Sequence, residues 1–367
     1  MKFEIIAEDN GARAGKLYFD NGIVVNTPVF MPVATRATVK TFTPDRLRNL
    51  GVEMIISNAY HLYLRPGTDI IKNAGGIKHF MAWDGANVTD SGGFQILSLT
   101  NLKKIEEDGV RFQSHIDGSY HHLTPEMIVD IERDIGADIK MLLDLPAQYP
   151  SSYNEALNSV KATTNWARRS LNHDDTIRKD FFAIIQGSVY TDLREKSAKD
   201  LTDFNFAGYA IGGLCIGEPE DKFKYVIDKL SSILPLNKPR YLMGAGYPED
   251  IIFSVSQGVD IFDCVLPTRN GRTGMAFTNK GRINIKNQKF KDDYSSIEEG
   301  CGCYTCKNFT KSYIRHLFYT KELLGPHLLS LHNIYFYTRL MKKIRNAIIE
   351  GNFLRFIEEN NIKYSRR

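Results

Sequence analysis

Eight short apolar runs recur along the chain, each closing on a polar residue or a glycine. That repetition constrains the fold more than any other feature. The runs are TPVFMPV (27–33), EMIISN (53–58), NVTD (87–90), IKMLLD (139–144), FFAIIQ (181–186), YAIGGL (209–214), RYLMG (240–244) and DIFDC (260–264). Runs this short and this apolar suit strands buried on both faces of a parallel sheet. Helical segments lie between them. TPEMIVDIERDIG (124–136) opens on a threonine cap with a proline in its first turn, and 154–171 and 221–234 carry helical periodicity. Eight strands alternating with helices predict an α/β fold, a (β/α)8 or TIM barrel.

In such a barrel the reactive groups sit at the C-terminal ends of the strands. Here those ends hold Asn58, Asp90, Asp144, Gln186, Gly212, Gly213, Met243, Gly244 and Asp263. Polar residues commonly end strands. Three aspartates at three such ends are less common, and a barrel would gather them into one pocket. Two departures make the barrel irregular. Residues 94–123 read as an inserted hairpin, with alternation around the turn signal Asp117-Gly118. Residues 267–325 form no barrel unit, and the chain from about 326 is helical. The expected division is a barrel over 1–266 carrying the catalytic site, and a basic, zinc-binding subdomain with C-terminal helices over 267–367, packed on the barrel.

Three of the five cysteines, Cys301, Cys303 and Cys306, form a C-x-C-x-x-C array. Thiolates this close suit one soft metal ion better than disulfides. His332 is the best fourth ligand, because it would staple the last helix to the cysteine loop; His316 and His327 are rivals. Four protein ligands leave no open position, so the zinc is read as structural, one per chain. Cys215 and Cys264 lie at strand ends, apart from this group. With no disulfide framework, no apolar signal core in MKFEIIAEDNGARAG and no stretch long enough to span a membrane, a cytoplasmic protein without a membrane partner is expected.

Charge is unevenly spread. Residues 1–265 carry 28 Lys and Arg against 35 Asp and Glu, whereas 266–367 carry 19 against 8. A basic last quarter suits a polyanionic partner, although a solvated helical surface would look the same. The sequence holds no GxxxxGK[ST] phosphate loop. TDSGGFQ (89–95) follows a predicted strand. Its paired glycines would let a flat ligand approach the backbone, and Phe94 would stack on a ring. FDCVLPTRNGR (262–272) puts Asp263 at a strand end with Arg269 and Arg272 just beyond. An aspartate facing a ribose beside phosphate-binding arginines is what a glycosidic exchange on RNA needs.

With these segments in view, the chain resembles the bacterial queuosine-pathway tRNA-guanine transglycosylases over almost its whole length. The matching motifs are TPVFMPVAT, NAYHLYLRPG, TDSGGFQ, FQSHIDG, the glycine pair of GGLCIGEP, YLMGAGYPED, FDCVLPTRNGR, CGCYTC and the LHN that carries His332. The resemblance implies an irregular (β/α)8 barrel with a zinc subdomain, usually homodimeric. It also implies a pentosyltransferase that exchanges the wobble guanine of tRNAs with a GUN anticodon for a 7-deazaguanine base. Position by position it implies Asp263 as nucleophile at ribose C1′ and Asp90 as general acid/base. Asp144 would read the guanine-like edge with Ser91, Gln186 and the Gly213–Leu214 backbone, and Phe94 and Met243 would sandwich the base. Cys301, Cys303, Cys306 and His332 would hold zinc. Arg269, Arg272, Lys280, Arg282 and Lys286 are the expected tRNA contacts.

The chain departs from the family after Asp144, where Leu145-Pro146 stands in place of an acidic residue and a cysteine. Glu218 matches the residue that turns the Leu214–Cys215 peptide toward an aminomethyl group. Ile216 is bulky where enzymes that accept queuine tend to be small. Glu218 and Ile216 favour 7-aminomethyl-7-deazaguanine as the incoming base; against it stands Pro146, which alters the pocket wall. The alternatives are a queuine-salvaging enzyme, a non-catalytic RNA-binding subunit and a carbohydrate-acting barrel. The three retained aspartates argue against the second, and the basic cysteine-bearing segment against the third.

Overall fold

A computed structural model describes residues 1–99 and 102–361. In chain order its strands are β1 (Lys2–Asp9), β2 (Ala12–Tyr18), β3 (Val24–Thr27), β4 (Val29–Pro32), β5 (Met54–Asn58), β6 (Ala86–Asp90), β7 (Lys103–Glu106), β8 (Gly109–Gln113), β9 (Tyr120–Leu123), β10 (Ile139–Met141), β11 (Phe181–Ile185), β12 (Gly208–Ile211), β13 (Arg240–Leu242), β14 (Ile261–Cys264), β15 (Met275–Thr278) and β16 (Gly281–Asn284). Eight of them pair in the order β4-β14-β13-β12-β11-β10-β6-β5, all parallel. A single parallel bridge, Val33 to Ile56, closes the ring between β5 and β4. All eight apolar runs of the sequence contribute a barrel strand.

Alternation along each strand divides the core. Met31, Ile56, Val88, Met141, Phe182, Ile184, Ala210 and Ile261 pack together inside the barrel, with Leu17 and Val25 from the N-terminal strands below them. Phe30, Leu142, Phe181, Ala183, Ile185, Ile211, Leu242 and Phe262 face the surrounding helices. The helix Pro125–Ile135 starts where the sequence predicts: Thr124 accepts from the Met127 N–H at 3.3 Å, Pro125 opens the first turn, and Gly136 ends it at φ 72°.

Three parts differ from the sequence reading. Residues 2–27, to which no element was assigned beyond Thr27 in the first run, form the antiparallel sheet β1-β2-β3. The inserted segment is more than a hairpin. It begins as the helix Gly93–Leu99, because Ile96 is needed in the core beside Tyr60 and Phe112, and continues as the sheet β7-β8-β9. The turn at Asp117-Gly118 does separate two paired strands, β8 and β9. The run IKMLLD is strand only over Ile139–Met141, so Asp144 stands beyond the strand. C-terminal to β14, the hairpin β15-β16 packs through β15 on the helix Leu324–Ile349, which itself lies on β1, β2 and the barrel strand β4.

Candidate active site

Period-two alternation brings distant residues to one end of the barrel. Asn58 follows Ile56 on the inner face of β5, Asp90 follows Val88 on β6, and Asp263 follows Ile261 on β14. Asp90, Asp144 and Asp263 line one cavity of about 620 Å³. Neighbouring strands pair Asn58 directly with Asp90, and the Asn58 Nδ2 donates to Asp90 Oδ2 at 2.8 Å. The other oxygen, Asp90 Oδ1, is buried without a hydrogen-bond partner among the described residues. Burial raises the Asp90 carboxyl to about 8, opposed by the Asn58 bond and helped by the charges of Asp263 and Asp144.

Asp263 is held differently. The Tyr241 hydroxyl donates to its Oδ1 at 2.6 Å and the Gly244 N–H to the same oxygen at 2.9 Å. Burial raises this carboxyl too, but both donors favour the ionised form. Asp144 is buried. Ser91 Oγ donates to its Oδ1 at 3.2 Å and Gln186 Nε2 to its Oδ2 at 2.7 Å. Burial raises it to about 6, against those two bonds. The sequence reading missed Tyr241. It sits two residues before Met243, so alternation alone places both on the inner face of that run.

Ser91, Phe94, Gly213, Leu214, Glu218 and Met243 line the same cavity. Gln186 is not on its wall; it holds Asp144 from behind. Gly92 and Gly93 line the cavity as well, and they are also closely packed by protein atoms. A Cβ on Gly92 would lie 2.4 Å from Tyr60 Cβ, and one on Gly93 would lie 2.5 Å from the Asp144 carbonyl oxygen. These glycines let the turn pack against protein atoms, which brings Ser91 onto Asp144. Phe94 keeps half its surface exposed, at 50%. Glu218 accepts from the Cys215 N–H at 2.6 Å and the Ile216 N–H at 3.0 Å. Since C=O and N–H of a trans peptide point opposite ways, the Leu214 carbonyl faces away from Glu218. Pro146 and Ile216 both line the cavity, whereas the Leu145 side chain packs in the core.

Of the five predicted tRNA contacts, Arg269 and Arg282 reach the cavity wall, with the Arg282 guanidinium 5.1 Å from the Tyr247 ring centre. Arg272, Lys280 and Lys286 do not. Arg272 Nε donates to the Thr268 carbonyl at 3.1 Å, while Lys280 and Lys286 stand exposed on and beside the β15-β16 hairpin.

The cysteine loop meets His332. Its Nδ1 lies 3.8, 3.5 and 3.4 Å from the sulfurs of Cys301, Cys303 and Cys306. Ligand atoms around one tetrahedral ion with ordinary metal–sulfur and metal–nitrogen bonds stand roughly 3.6 Å apart, so the four residues fit a metal ion. His332 Nε2 is 2.7 Å from the Phe277 carbonyl oxygen, which fixes the ring with Nδ1 toward the sulfurs. The rivals are elsewhere: His327 faces the Thr41 carbonyl and His316 stacks near Tyr313.

Comparison with known proteins bears on this site. The family model for queuine tRNA-ribosyltransferase matches residues 8–366. A queuine tRNA-ribosyltransferase of Caldanaerobacter subterraneus subsp. tengcongensis is 50% identical over 99% of this chain and 98% of its own length. Proteins of the same name from Pelotomaculum thermopropionicum and Dictyoglomus turgidum are 49% and 46% identical, over 97% and 100% of this chain and 96% and 95% of their own.

Proposed function

Because this chain belongs to the queuine tRNA-ribosyltransferase family, and so is a pentosyltransferase of the tRNA-guanine transglycosylase type, we propose that it exchanges the wobble guanine of GUN-anticodon tRNAs for 7-aminomethyl-7-deazaguanine through a covalent Asp263–ribose intermediate. The observation that carries this is the contrast between two carboxyls in one cavity. Asp90 is held in its acid form at neutral pH by burial and neighbouring negative charge. Asp263 has two donors on one oxygen, Oδ1. Environments that push two carboxyls apart assign acid and nucleophile.

In the first half-reaction Asp263 Oδ2 attacks ribose C1′. The C1′–N9 bond breaks, and Asp90 gives its proton, carried on the unpartnered Oδ1, to the departing guanine. In the second, Asp90 takes the N9 proton of the incoming base, whose nitrogen displaces Asp263 from C1′. Two inversions give net retention, the logic of retaining glycosidases. The target base leaves its stack at a cost of about a few kcal/mol, offset by phosphate contacts from Arg269, Arg282 and the basic hairpin. The Asp144 carboxylate accepts from the base's N1–H and 2-amino group, and Phe94 and Met243 cover its two faces.

The Glu218 arrangement supports the aminomethyl base. It frees the Leu214 carbonyl as an acceptor for an ammonium that is costly to bury unpaired. Ile216 on the cavity wall crowds the cyclopentenediol that queuine carries. The metal is proposed to be zinc. With four protein ligands it would supply a structural crosslink, and no chemical step passes through it. The same reading makes 1–266 the catalytic barrel and 267–367 the tRNA-holding part, in a cytoplasmic homodimer.

The test is a single-turnover reaction with GUN-anticodon tRNA, followed by chase with guanine, the aminomethyl base or queuine. A denaturing gel should show a protein–tRNA adduct with the native chain and none with Asp263→Asn, and the aminomethyl base should discharge it fastest. An adduct formed by Asp263→Asn removes the nucleophile assignment. Faster discharge by queuine removes the Ile216 argument.

A further inference from the structure

Arg194 is fully buried, at 0% exposure, in the helix Thr191–Thr202 that follows β11. A buried guanidinium ordinarily meets a carboxylate. This one spends its four hydrogen bonds on main-chain carbonyls. Its Nε donates to Ser188 at 2.8 Å, Nη1 to Ile185 at 2.8 Å and Gly212 at 2.7 Å, and Nη2 to Gly213 at 3.2 Å. Burial pulls it down to about 9, which still leaves it charged at neutral pH.

Three glycines make room for this arrangement. A Cβ on Gly187 would come within 2.8 Å of the Arg194 main-chain nitrogen. On Gly212 it would come within 2.8 Å of Gln186 Nε2, and on Gly213 within 2.5 Å of Gln186 Oε1. The two strand ends are thus pressed against the glutamine that holds Asp144. Arg194 ties them together from behind.

Peptide geometry carries the consequence to the cavity. With the Gly212 and Gly213 carbonyls pointing at Arg194, the N–H groups of Gly213 and Leu214 point away from it. Both residues line the cavity, and among the described residues neither N–H meets a protein acceptor. They are oriented, unpaired donors. A cation at the carbonyl ends also polarises these peptides and strengthens their N–H groups. Guanine and its 7-deaza analogues share the 6-oxo oxygen on the edge beside N1; the deaza bases lack N7, and the other common acceptor, N3, lies on the ribose side of the ring.

We propose that Arg194 is a positioning residue for base selection, which sets the Gly213 and Leu214 N–H donors to read the 6-oxo group of the base. The inference rests on the base-exchange reading above. Within that reading Asp144 takes the N1–H and 2-amino edge and the Gly213–Leu214 backbone the 6-oxo oxygen; what is added is Arg194, which holds that backbone through the Gly212 and Gly213 carbonyls.

Competition against labelled-guanine exchange into tRNA separates these devices, with two probe bases. Hypoxanthine lacks the 2-amino group and keeps the 6-oxo oxygen. 6-Thioguanine keeps N1–H and the 2-amino group and replaces the oxygen with a weaker acceptor. In Arg194→Met the KM for guanine should rise and the preference for guanine over 6-thioguanine should shrink, each by roughly tenfold, the size of one lost hydrogen bond. The turnover number should change much less, and the preference over hypoxanthine should stay at the native value. Arg194→Lys, which keeps the charge but reaches fewer carbonyls, should fall between, and it carries the test if the methionine variant does not fold.

A merely structural arginine would lower the melting temperature and weaken all three bases alike. That outcome, or a folded variant with the native 6-thioguanine preference, overturns the inference. A native enzyme that fails to distinguish guanine from both analogues overturns the base reading itself.

Discussion

At the scale of single residues the site depends on which carboxyl keeps its proton. Burial raises Asp90 to about 8, far above a free aspartate. The folded protein therefore binds a proton here that the unfolded chain releases at roughly pH 4. Stability from this group is whole below that pH, falls as pH rises through the interval, and is lost above about 8. Asp90→Asn cannot ionise. Its melting temperature should match the native protein at pH 4 and exceed it by several degrees at pH 8, while exchange activity is lost. A melting difference that is flat with pH would contradict the raised Asp90. Much of this site is legible in the sequence, because polar residues at strand ends announce themselves. Asp90, Asp144 and Asp263 were found that way, and all three line the cavity. Tyr241 and Arg194 were not, for a physical reason. A tyrosine inside an apolar run reads as core, and an arginine in a helix reads as surface, until the carbonyls it meets are known.

At the scale of elements, periodicity fixed the barrel strands because each is buried on both faces and bounded by turn residues. The N-terminal sheet escaped because β1 alternates only between exposed and half-buried residues, which leaves a weak apolar signal. The helix Gly93–Leu99 escaped because two turns are too short to show a period, and its place is set by Ile96 entering a core built from other segments. The C-terminal helix is anchored by contact, and a metal ion on Cys301, Cys303, Cys306 and His332 would tie it to the cysteine loop as well. Asn333 beside His332 accepts from the Phe277 N–H at 3.0 Å and donates to the Pro267 carbonyl at 3.0 Å. A structural metal contributes its binding energy to folding. Metal analysis should therefore find one zinc per chain. Chelation, or Cys303→Ser, should lower the melting temperature and speed amide exchange along Leu324–Ile349, with the barrel strands largely protected. Equal loss of protection in barrel and helix would show that the metal site is no local staple.

At the scale of the whole molecule the charge asymmetry acquires a direction. The acidic portion, 1–265, supplies Asp90, Asp144 and Asp263 to the cavity, and its excess of Asp and Glu, 35 against 28 Lys and Arg, would repel a phosphate chain on its own. The basic portion, 266–367, carries 19 Lys and Arg against 8 Asp and Glu and places Arg269 and Arg282 at the cavity wall, with Lys280 and Lys286 exposed alongside. If tRNA docks on this face, Arg269 and Arg282 at the cavity wall are the cations its phosphates would meet. Only a neutral base, turned out of its stack, has reason to go further. Binding of tRNA should then be dominated by counterion release. If these four side chains each neutralise a phosphate, the logarithmic slope of affinity against salt is about −3, and affinity falls roughly 50-fold between 50 and 200 mM salt. Replacing Lys280 and Lys286 together by alanine should flatten the slope by about 1 to 2 without changing which base is accepted. Filter-binding titrations across that salt range measure both quantities. A native slope near zero would mean that the basic hairpin faces away from the RNA, and that the asymmetry serves another surface.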